Sequence, residues 1–565
     1  MTPRWTLQPA AAPEVRERLC GALGLQPLVA DILVRRGIDT PEAAQTFLQP
    51  RLADLHDPFS LLSMDRAVER IVHALQEGER IVVSGDYDVD GMTSTTLLTG
   101  FLRAAGAKEP LYFIPNRFEH GYGLTGNSVD ALLAMKPDLI ITVDNGITAM
   151  KEVDRLNAAG VDTVITDHHL PRPEGIPAGI VVNPQQPGCS YPNKAISGCG
   201  LAFKLVMALR KQLRGLGWWN DQRPEPNLLD WLDLVAIATI ADVVALTGEN
   251  RVLVHHGLEV LNRNKRRVGV AALLNGTGKV VARTVGFQIA PRINAAGRMT
   301  EGALAVELLL SESEEQAAPL AQRLEAENDA RRAKGESMFR EAVAAVEEQS
   351  GEAPAGIVVA SADFHEGIIG IVASRLVERY HKPVVVLAEN GAGYKGSARS
   401  VPGVNVTDAI ASAAPLLEEY GGHEGAAGCK FLREHLDEFR ARFAKACGEL
   451  AALADPPAVL LDGRLDHGTI DEALVEQVAA LAPFGHKNEE PRFLLEPEKD
   501  AKGPEVLKEK HLKWKMPGGV EMIAWNKARE FDRGASWSYL VRLGFNEFRG
   551  RRTVQLTVED MRDSP

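Results

Sequence analysis

Five short apolar runs rich in β-branched residues recur between positions 80 and 183: Ile81-Val82-Val83, Leu111 to Ile114, Leu139 to Val143, Thr163 to Thr166 and Ile180 to Val182. Each is too short for a helix and apolar throughout, the pattern of strands buried on both faces. Helical patterns such as Thr93 to Ala105 and Thr148 to Ala158 fill the gaps between them. Strands alternating with crossover helices predict a doubly wound parallel sheet, whose ligands bind beyond the carboxyl ends of the strands.

The pattern then changes twice. Ser311 to Gln349 is charged, rich in alanine and free of strand alternation, which predicts a long connecting helix with Pro319 near its first turns or kinking it. After Pro354 the β/α alternation resumes in Gly356 to Val359, a helix from Gly367 to Tyr380, and Val384 to Leu387. Beyond Pro456, short strands with Gly-rich turns (His511 to Met516, Val520 to Trp525, Trp537 to Phe545, Thr553 to Val558) predict a small OB-like β-barrel. The expected order is therefore a helical cap over 1–60, a catalytic-type α/β domain over 61–310, a connecting helix over 311–350, a second, smaller α/β domain over 351–455 and a β domain over 456–565.

Composition narrows the class. At 45% hydrophobic and 25% charged, the 565-residue chain excludes disordered, collagen-like and coiled-coil readings. The longest apolar stretch, Leu232 to Leu246, falls short of the roughly 20 residues of a membrane span and is interrupted by Asp233 and Asp242. With no basic region and apolar run at the start, the expectation is a soluble cytoplasmic protein, a monomer by default. Five cysteines without a C-x-x-C pair argue against a disulfide framework or zinc ribbon, so any metal must use other ligands. The net charge of −13 seems to oppose nucleic-acid binding, yet residues 501–565 carry 13 Lys and Arg against 9 Asp and Glu. The excess acid lies upstream, where it must do something else.

It lies at the strand ends. Ser84-Gly-Asp86-Tyr-Asp88-Val-Asp90-Gly91 follows the first run, Val143-Asp144-Asn145-Gly146 the third and Thr166-Asp167-His168-His169 the fourth, while Asp242 stands inside the apolar helix Ala238-Thr-Ile-Ala-Asp-Val-Val. Any one of these is as readily a turn residue or helix cap. Six carboxylates gathered at one pole, however, raise one another's pKa unless cations sit among them. Oxygen ligands with an imidazole suit manganese or magnesium rather than zinc, and two such ions about 3.5–4 Å apart are the arrangement for phosphoester hydrolysis.

The set D-Y-D-V-D-G, V-D-N-G, D-H-H and A-D-V-V resembles the DHH phosphoesterase superfamily, and Gly421-Gly422-His423-Glu-Gly-Ala-Ala-Gly428 resembles the glycine-histidine motif of its associated C-terminal domain. The chain's length, Phe113 to Leu124 (FIPNRFEHGYGL), Pro291 to Met299 (PRINAAGRM) and the last β domain resemble the superfamily's single-strand-specific 5′-to-3′ DNA exonucleases. The resemblance implies a catalytic set of Asp86, Asp88, Asp90, Asp144, His168, His169 and Asp242. Of these Asp88, Asp90, Asp144, His168 and Asp242 would bind two Mn2+ or Mg2+ ions, with Asp144 as the bridge and Asp86 and His169 behind the ligands or on the phosphate side. Ser84 stands where many members place a histidine, leaving Asp86 or water to complete the first ion's shell.

The same resemblance implies that Ser397 and Arg399, with Arg117, anchor a 5′-terminal phosphate. The glycine-dense loop carrying Gly421, Gly422 and His423 would clamp the scissile phosphoryl group. Arg292, Asn294 and Arg298 are too polar for a core strand and suit DNA phosphates, whereas the basic cluster Asn264 to Arg267 reads equally as a solvated helix end. Lys513-Trp514-Lys515, Trp525-Asn-Lys527, Phe545 through Phe548-Arg549, and Arg551-Arg552 mix base with aromatic as single-strand-binding OB domains do, although each aromatic singly, Trp514 above all, favours a core position. The implied partners are single-stranded DNA with a 5′ end, a DNA helicase and a single-strand-binding protein. Two other classes remain: a DHH-type phosphodiesterase for short oligonucleotides or cyclic dinucleotides, and a non-catalytic single-strand-binding replication factor.

Overall fold

The computed structural model describes residues 4–274, 276, 278–299, 301–348, 354–453, 458–496, 503–516, 519–532, 537–548 and 550–563. The boundaries expected at 350 and 456 fall within 349–353 and 454–457, outside the described residues. The five apolar runs form one parallel sheet in the order Leu111–Phe113, Ile81–Ser84, Leu139–Val143, Asp162–Thr166, Ile180–Val182. The chain starts in the second position, turns back to the edge and then crosses to the other side. Its first and third strands are therefore neighbours whose connections leave in opposite directions, and the crevice at their carboxyl ends is where such a sheet takes its ligand. Helices Gly126–Ala134 and Met150–Ala158 close one face by burying Val129, Leu132, Val153 and Leu156 against Val82, Ile140 and Ile165.

Helices Gly198–Gly215, Leu232–Ala241 and Gly248–Leu261 extend this body. Two of them touch at Gly257, where a Cβ would stand 2.2 Å from the carbonyl oxygen of Leu232. Only glycine allows that approach.

The chain divides into two compact units, one formed by Trp5–Ala290, Val306–Ala317 and Val459–Pro565, the other by Met1–Arg4, Pro291–Ala305 and Ala318–Ala458. The expected connecting helix is Glu314–Glu347, with Pro319 accommodated inside it. In the second unit a five-stranded sheet runs Leu417–His423, Ala426–Leu432, Gly393–Arg399, Val384–Asn390, Ile357–Ser361, with only the last pair parallel. Its two faces are buried separately. Phe431, Phe439 and Phe443 pack on one side, while Val372 and Leu376 of helix Ile369–Tyr380 pack on the other with Met338 and Ala342.

The C-terminal strands join one seven-stranded sheet, from Gly463–Leu465 at one edge to Glu505–Leu507 at the other. The first 60 residues do not stand apart as a helical cap. A strand, Arg4–Leu7, precedes three helices, Pro13–Leu23, Pro27–Arg35 and Pro41–Leu48. Leu19, Val29, Ile32, Leu33 and Ala44 from these helices enter one core with Leu465, Phe493, Trp514, Val541 and Leu556. The apolar stripes of short helices need a partner face, and here the end of the chain supplies it.

Arg251 ties these pieces to the catalytic-type body. Its buried guanidinium donates to the carbonyls of Phe47 at 2.8 Å, Leu481 at 2.9 Å, Ala482 at 2.7 Å and Ala480 at 3.3 Å, and lies 3.8 Å over the Phe47 ring. Burial, helped by nearby Arg36, pushes its pKa down to about 9. Arg251→Met should lower unfolding free energy by about 3 kcal/mol by stranding these carbonyls, read as a fall in the denaturant midpoint. Arg251→Lys should restore only part, because one ammonium cannot reproduce the fork.

Candidate metal centre and phosphate-binding residues

The acids gather because three neighbouring strands end together. Asp86 and Asp88 occupy the turn after Ile81–Ser84; Asp88 caps helix Val89–Ala104 by accepting from the Gly91 N–H at 3.1 Å, and Asp90 lies in that helix's first turn. A Cβ on Gly91 would come within 2.5 Å of Asp86 backbone atoms, so the turn closes only with glycine there. Asp144 is the first residue after Leu139–Val143 and sits at φ +63°, a left-handed conformation that aspartate tolerates better than most. Beside it, Asn145 donates to the carbonyls of Ser84 at 3.1 Å and Val143 at 2.9 Å, joining the first and third strands at the point where their connections part.

Asp242 departs from expectation. It is not inside a helix but caps the C-terminus of Leu232–Ala241, and its side chain is 31% exposed. A carboxylate there opposes the negative end of the helix dipole. The next residue, Val243, takes φ +54°, a strained setting for a β-branched side chain.

All seven expected catalytic residues come together. His168 Nε2 lies 3.0 Å from Asp144 Oδ1 and 3.7 Å from both Asp90 Oδ2 and Asp242 Oδ2. Potential ligand atoms fall within 4.8 Å of one another in three sets: Asp90, His168 and Asp242; Asp86, Asp88 and Asp144; and Asp144, His168 and His169. The first two adjoin through Asp144 and His168. Asp86, expected behind the ligands or completing the first ion's shell, stands within ligand reach of Asp88 and Asp144. Both of its oxygens are buried without a hydrogen-bond partner, and buried Asp144 Oδ1 and His168 Nε2 face each other. Buried polar atoms are rarely left so, and hard oxygen donors with one imidazole fit manganese or magnesium.

The field around them points the same way. Burial and then Asp88 push the Asp86 carboxyl up to about 8 and that of Asp242 to about 7. Burial followed by neighbouring acids raises Asp90 and Asp144 well above the carboxylate range. Burial, then His169, takes His168 down to about 4, so it is neutral and free to ligate. Asp167 behaves oppositely: burial would raise it, but the His169 ring at 2.7 Å and the N–H groups of Ile147 and His169 hold it low. His169 in turn overcomes its burial through Asp167 and rises to about 9.

Sequence reasoning counted Asp167 with the converging acids but missed its bond to His169, and it missed the support of Asp90 altogether. The Asp90 oxygens accept from the N–H groups of Gly198 and Cys199, both at 2.7 Å and more than a hundred residues away. These amides open helix Gly198–Gly215 behind the cap Ser197. A Cβ on Gly198 would sit 2.6 Å from that of Asp144. The Ser-Gly start signals a helix N-terminus; what that terminus faces is not written locally.

The phosphate-binding candidates lie in the second unit, apart from Arg117. Arg117 stacks 4.4 Å over Tyr87, next to Asp86 and Asp88. The glycine-dense segment is not a loop but a hairpin: Gly421, Gly422 and His423 pair with Gly428, Ala427 and Ala426 around a two-residue turn. Ser397 pairs with Gly428 and Arg399 with Ala426 on the other side, so Ser397, Arg399, Gly421 and His423 share one sheet face. Arg399 Nη1 donates to Ser397 Oγ at 3.1 Å, and Gly370 leaves room for both, since a Cβ there would approach each within 3.0 Å.

PRINAAGRM is part of helix Ala290–Met299, in which Arg292 pairs with Glu325 and Arg298 donates to the Gly367 carbonyl at 3.0 Å. Asn294 is half-buried on the same helix. Of the basic cluster, Arg267 is paired with Asp233 at 2.8 Å. Trp514 is core, as expected singly, packed on Phe531 and Tyr539. Trp525 is 53% exposed against His511. Arg549 and the Phe548 side chain lie outside the described residues.

With this geometry in view, comparison with known proteins is direct. The family model described as DHH family, N-terminal domain matches residues 80–239, the DHHA1 domain matches 354–449 and the RecJ OB domain matches 461–560. The single-stranded-DNA-specific exonuclease RecJ of Dickeya dadantii (strain 3937) is 38% identical over 571 residues, covering 95% of this chain and 96% of that protein. The crystal structure of RecJ from Thermus thermophilus in complex with Mn2+ matches at a TM-score of 0.83 and 32% identity, over 100% of this chain and 80% of that one. Its Mg2+ complex matches at 0.76 and 30% identity, over 100% and 79%.

These charges give a signed expectation. Asp86 and Asp242 have folded pKa values above the ordinary 3.8, so their contribution to stability is lost as pH rises toward about 8 and 7. His168, lowered from 6.5, acts oppositely, but only below that pH. Metal-free protein should therefore lose thermal stability between about pH 6.5 and 8, and added manganese should reverse the trend because ligands must be deprotonated. Asp86→Asn should raise the metal-free Tm and shrink the manganese-induced rise; a Tm independent of pH in that window would contradict the crowding of charge.

Proposed function

The chain belongs to the RecJ family of single-stranded-DNA-specific exonucleases, and from that membership we propose that it takes a single-stranded 5′ end and releases nucleotides in the 5′-to-3′ direction by two-metal phosphodiester hydrolysis. The observation that carries this reading is the pair of adjoining ligand sets, with both Asp86 oxygens buried and unbonded and with Asp144 Oδ1 and His168 Nε2 buried against each other. Asp86, Asp88 and Asp144 would hold one ion and Asp90, His168 and Asp242 the other. Bound manganese or magnesium supplies Lewis acidity toward a phosphoryl oxygen and a water acidic enough to attack near neutral pH.

The rest is work for the chain's own groups. The Gly198 and Cys199 amides aim Asp90, and the Gly91 amide aims Asp88. His169, held through Nδ1 by Asp167 and raised to about 9, sets a positive charge beside the charge developing on the phosphoryl group. Ser397 and Arg399 anchor the 5′ phosphate beside Gly421, Gly422 and His423, and Arg117, stacked on Tyr87 next to Asp86 and Asp88, is a separate phosphate contact of the metal-binding body. Their common sheet face and the space left by Gly370 support this. Arg292, Asn294 and Arg298 contact phosphates along the strand, Arg292 exchanging Glu325 for one of them.

In this division of labour 61–310 cuts, 351–455 grips the end, and 456–565 holds the trailing strand by stacking and charge, which the exposed Trp525 supports. A role confined to short oligonucleotides or cyclic dinucleotides leaves that last domain without a task, and a purely binding role leaves the orphaned donors without one. No helix among the described residues is long and apolar enough to cross a membrane. The reaction we propose runs in the cytoplasm, in DNA repair and recombination, after a helicase has exposed the strand and beside a single-strand-binding protein.

Asp144→Asn should slow manganese-dependent digestion of 5′-labelled single strands by more than about a hundredfold while leaving strand binding in place; undiminished digestion would remove Asp144 from the chemistry. Arg399→Gln should erase the preference for a 5′-phosphorylated over a 5′-hydroxyl end, measured as a ratio of initial rates, without slowing the hydroxyl-ended strand.

A further inference from the structure

One part of FIPNRFEHGYGL has no role in this scheme: the loop that carries Tyr122. Tyr122 stands between Gly121 at φ +82° and Gly123 at φ +63°, and a Cβ on Gly123 would touch the Asn145 side chain at 3.4 Å. The loop is pinned on both sides. The Asn116 N–H donates to His120 Nδ1 at 3.0 Å, Thr125 Oγ1 donates to the His120 carbonyl at 2.6 Å, and Ser128 Oγ donates to the Gly123 carbonyl at 3.0 Å.

Within this frame the ring itself is fixed. Its hydroxyl lies 3.2 Å from His169 Nε2, and the ring meets Tyr87 edge-on at 6.0 Å and His169 at 6.2 Å. Yet Tyr122 is 52% exposed. An ordinary core tyrosine hides its ring and leaves the hydroxyl toward water. Here the hydroxyl is tied down while half of the residue stays open to solvent beside the ligands.

We propose that the open surface of Tyr122 is the platform on which the base of the departing 5′-terminal nucleotide stacks. The inference rests on the exonuclease reading and deepens it. A preorganised aromatic loses little freedom on binding. Stacking also tolerates any base, since every base has a π face, as an enzyme that digests strands of any sequence requires. Tyr87 and His169 meet the ring at near-perpendicular angles of 79° and 88° and fix its tilt, a role distinct from offering a surface to a base.

The test compares wild type, Tyr122→Phe and Tyr122→Ala on 5′-phosphorylated single strands whose terminal nucleotide is either intact or an abasic tetrahydrofuran analogue. A retained manganese-induced rise in Tm shows that each variant still assembles the metal site. Removing the base should cost wild type roughly 5- to 100-fold in kcat/KM, the range of one base–aromatic stack. Tyr122→Ala should lose a similar factor on the intact strand and little more on the abasic one, whereas Tyr122→Phe, which keeps the ring but not the bond to His169, should keep the wild-type ratio of intact to abasic rates. Equal losses for Tyr122→Ala on both strands would overturn the proposal, as would a Tyr122→Phe variant whose intact-to-abasic ratio falls as far as that of Tyr122→Ala. An intact strand left undigested by wild type would overturn the exonuclease reading with it.

Discussion

Buried like charge is the constraint around which this protein is built. Asp86, Asp90 and Asp144 are all almost wholly removed from water, with Asp88 and Asp242 alongside. Without counter-charge such a cluster holds protons it would shed in solution, and the raised carboxyl pKa values are the expression of that. The surroundings hold the acids together rather than letting them splay. Gly91 and Gly198 are reduced to a hydrogen where a methyl would push a carboxylate away, and helix-opening amides point at Asp90. Stability spent in this way at a functional site is recovered only when a cation binds.

Backbone strain follows the same logic. Asp144 and Val243 both occupy left-handed conformations, and each flanks or is a donor of the cluster. Neither is held by local preference. Asp144 is fixed by strand pairing on either side of it, and Val243 by the end of a helix packed along its whole length. Such conformations persist where the surrounding structure over-determines them.

The organisation of the longer unit is also a matter of missing partners. The N-terminal helices and the C-terminal sheet each present an apolar face, and they bury those faces in one core. Arg251 then satisfies carbonyls from both ends of the chain with one guanidinium. The C-terminal sheet is thereby fixed to the body that carries the metal-ligand cluster.

The parallel sheet was legible in the sequence because strands buried on both faces are apolar at every position, a signal that needs no knowledge of neighbours. The acids were legible for a related reason: the carboxyl end of a strand is fixed by where the apolar run stops, so Asp86, Asp144 and His168 announce a common edge. Trp514 could be assigned to the core from alternation alone. What the chain could not reveal were contacts made across large separations. Those include the amides that Gly198 and Cys199 give to Asp90, the cap position of Asp242, the hairpin pairing of Gly421 to Gly428 and the shared core of the two termini. Local pattern determined which elements form and which side chains end them, because both depend on residues a few positions apart. Tertiary structure alone decided which of those side chains face one another, because that depends on strand order and helix packing.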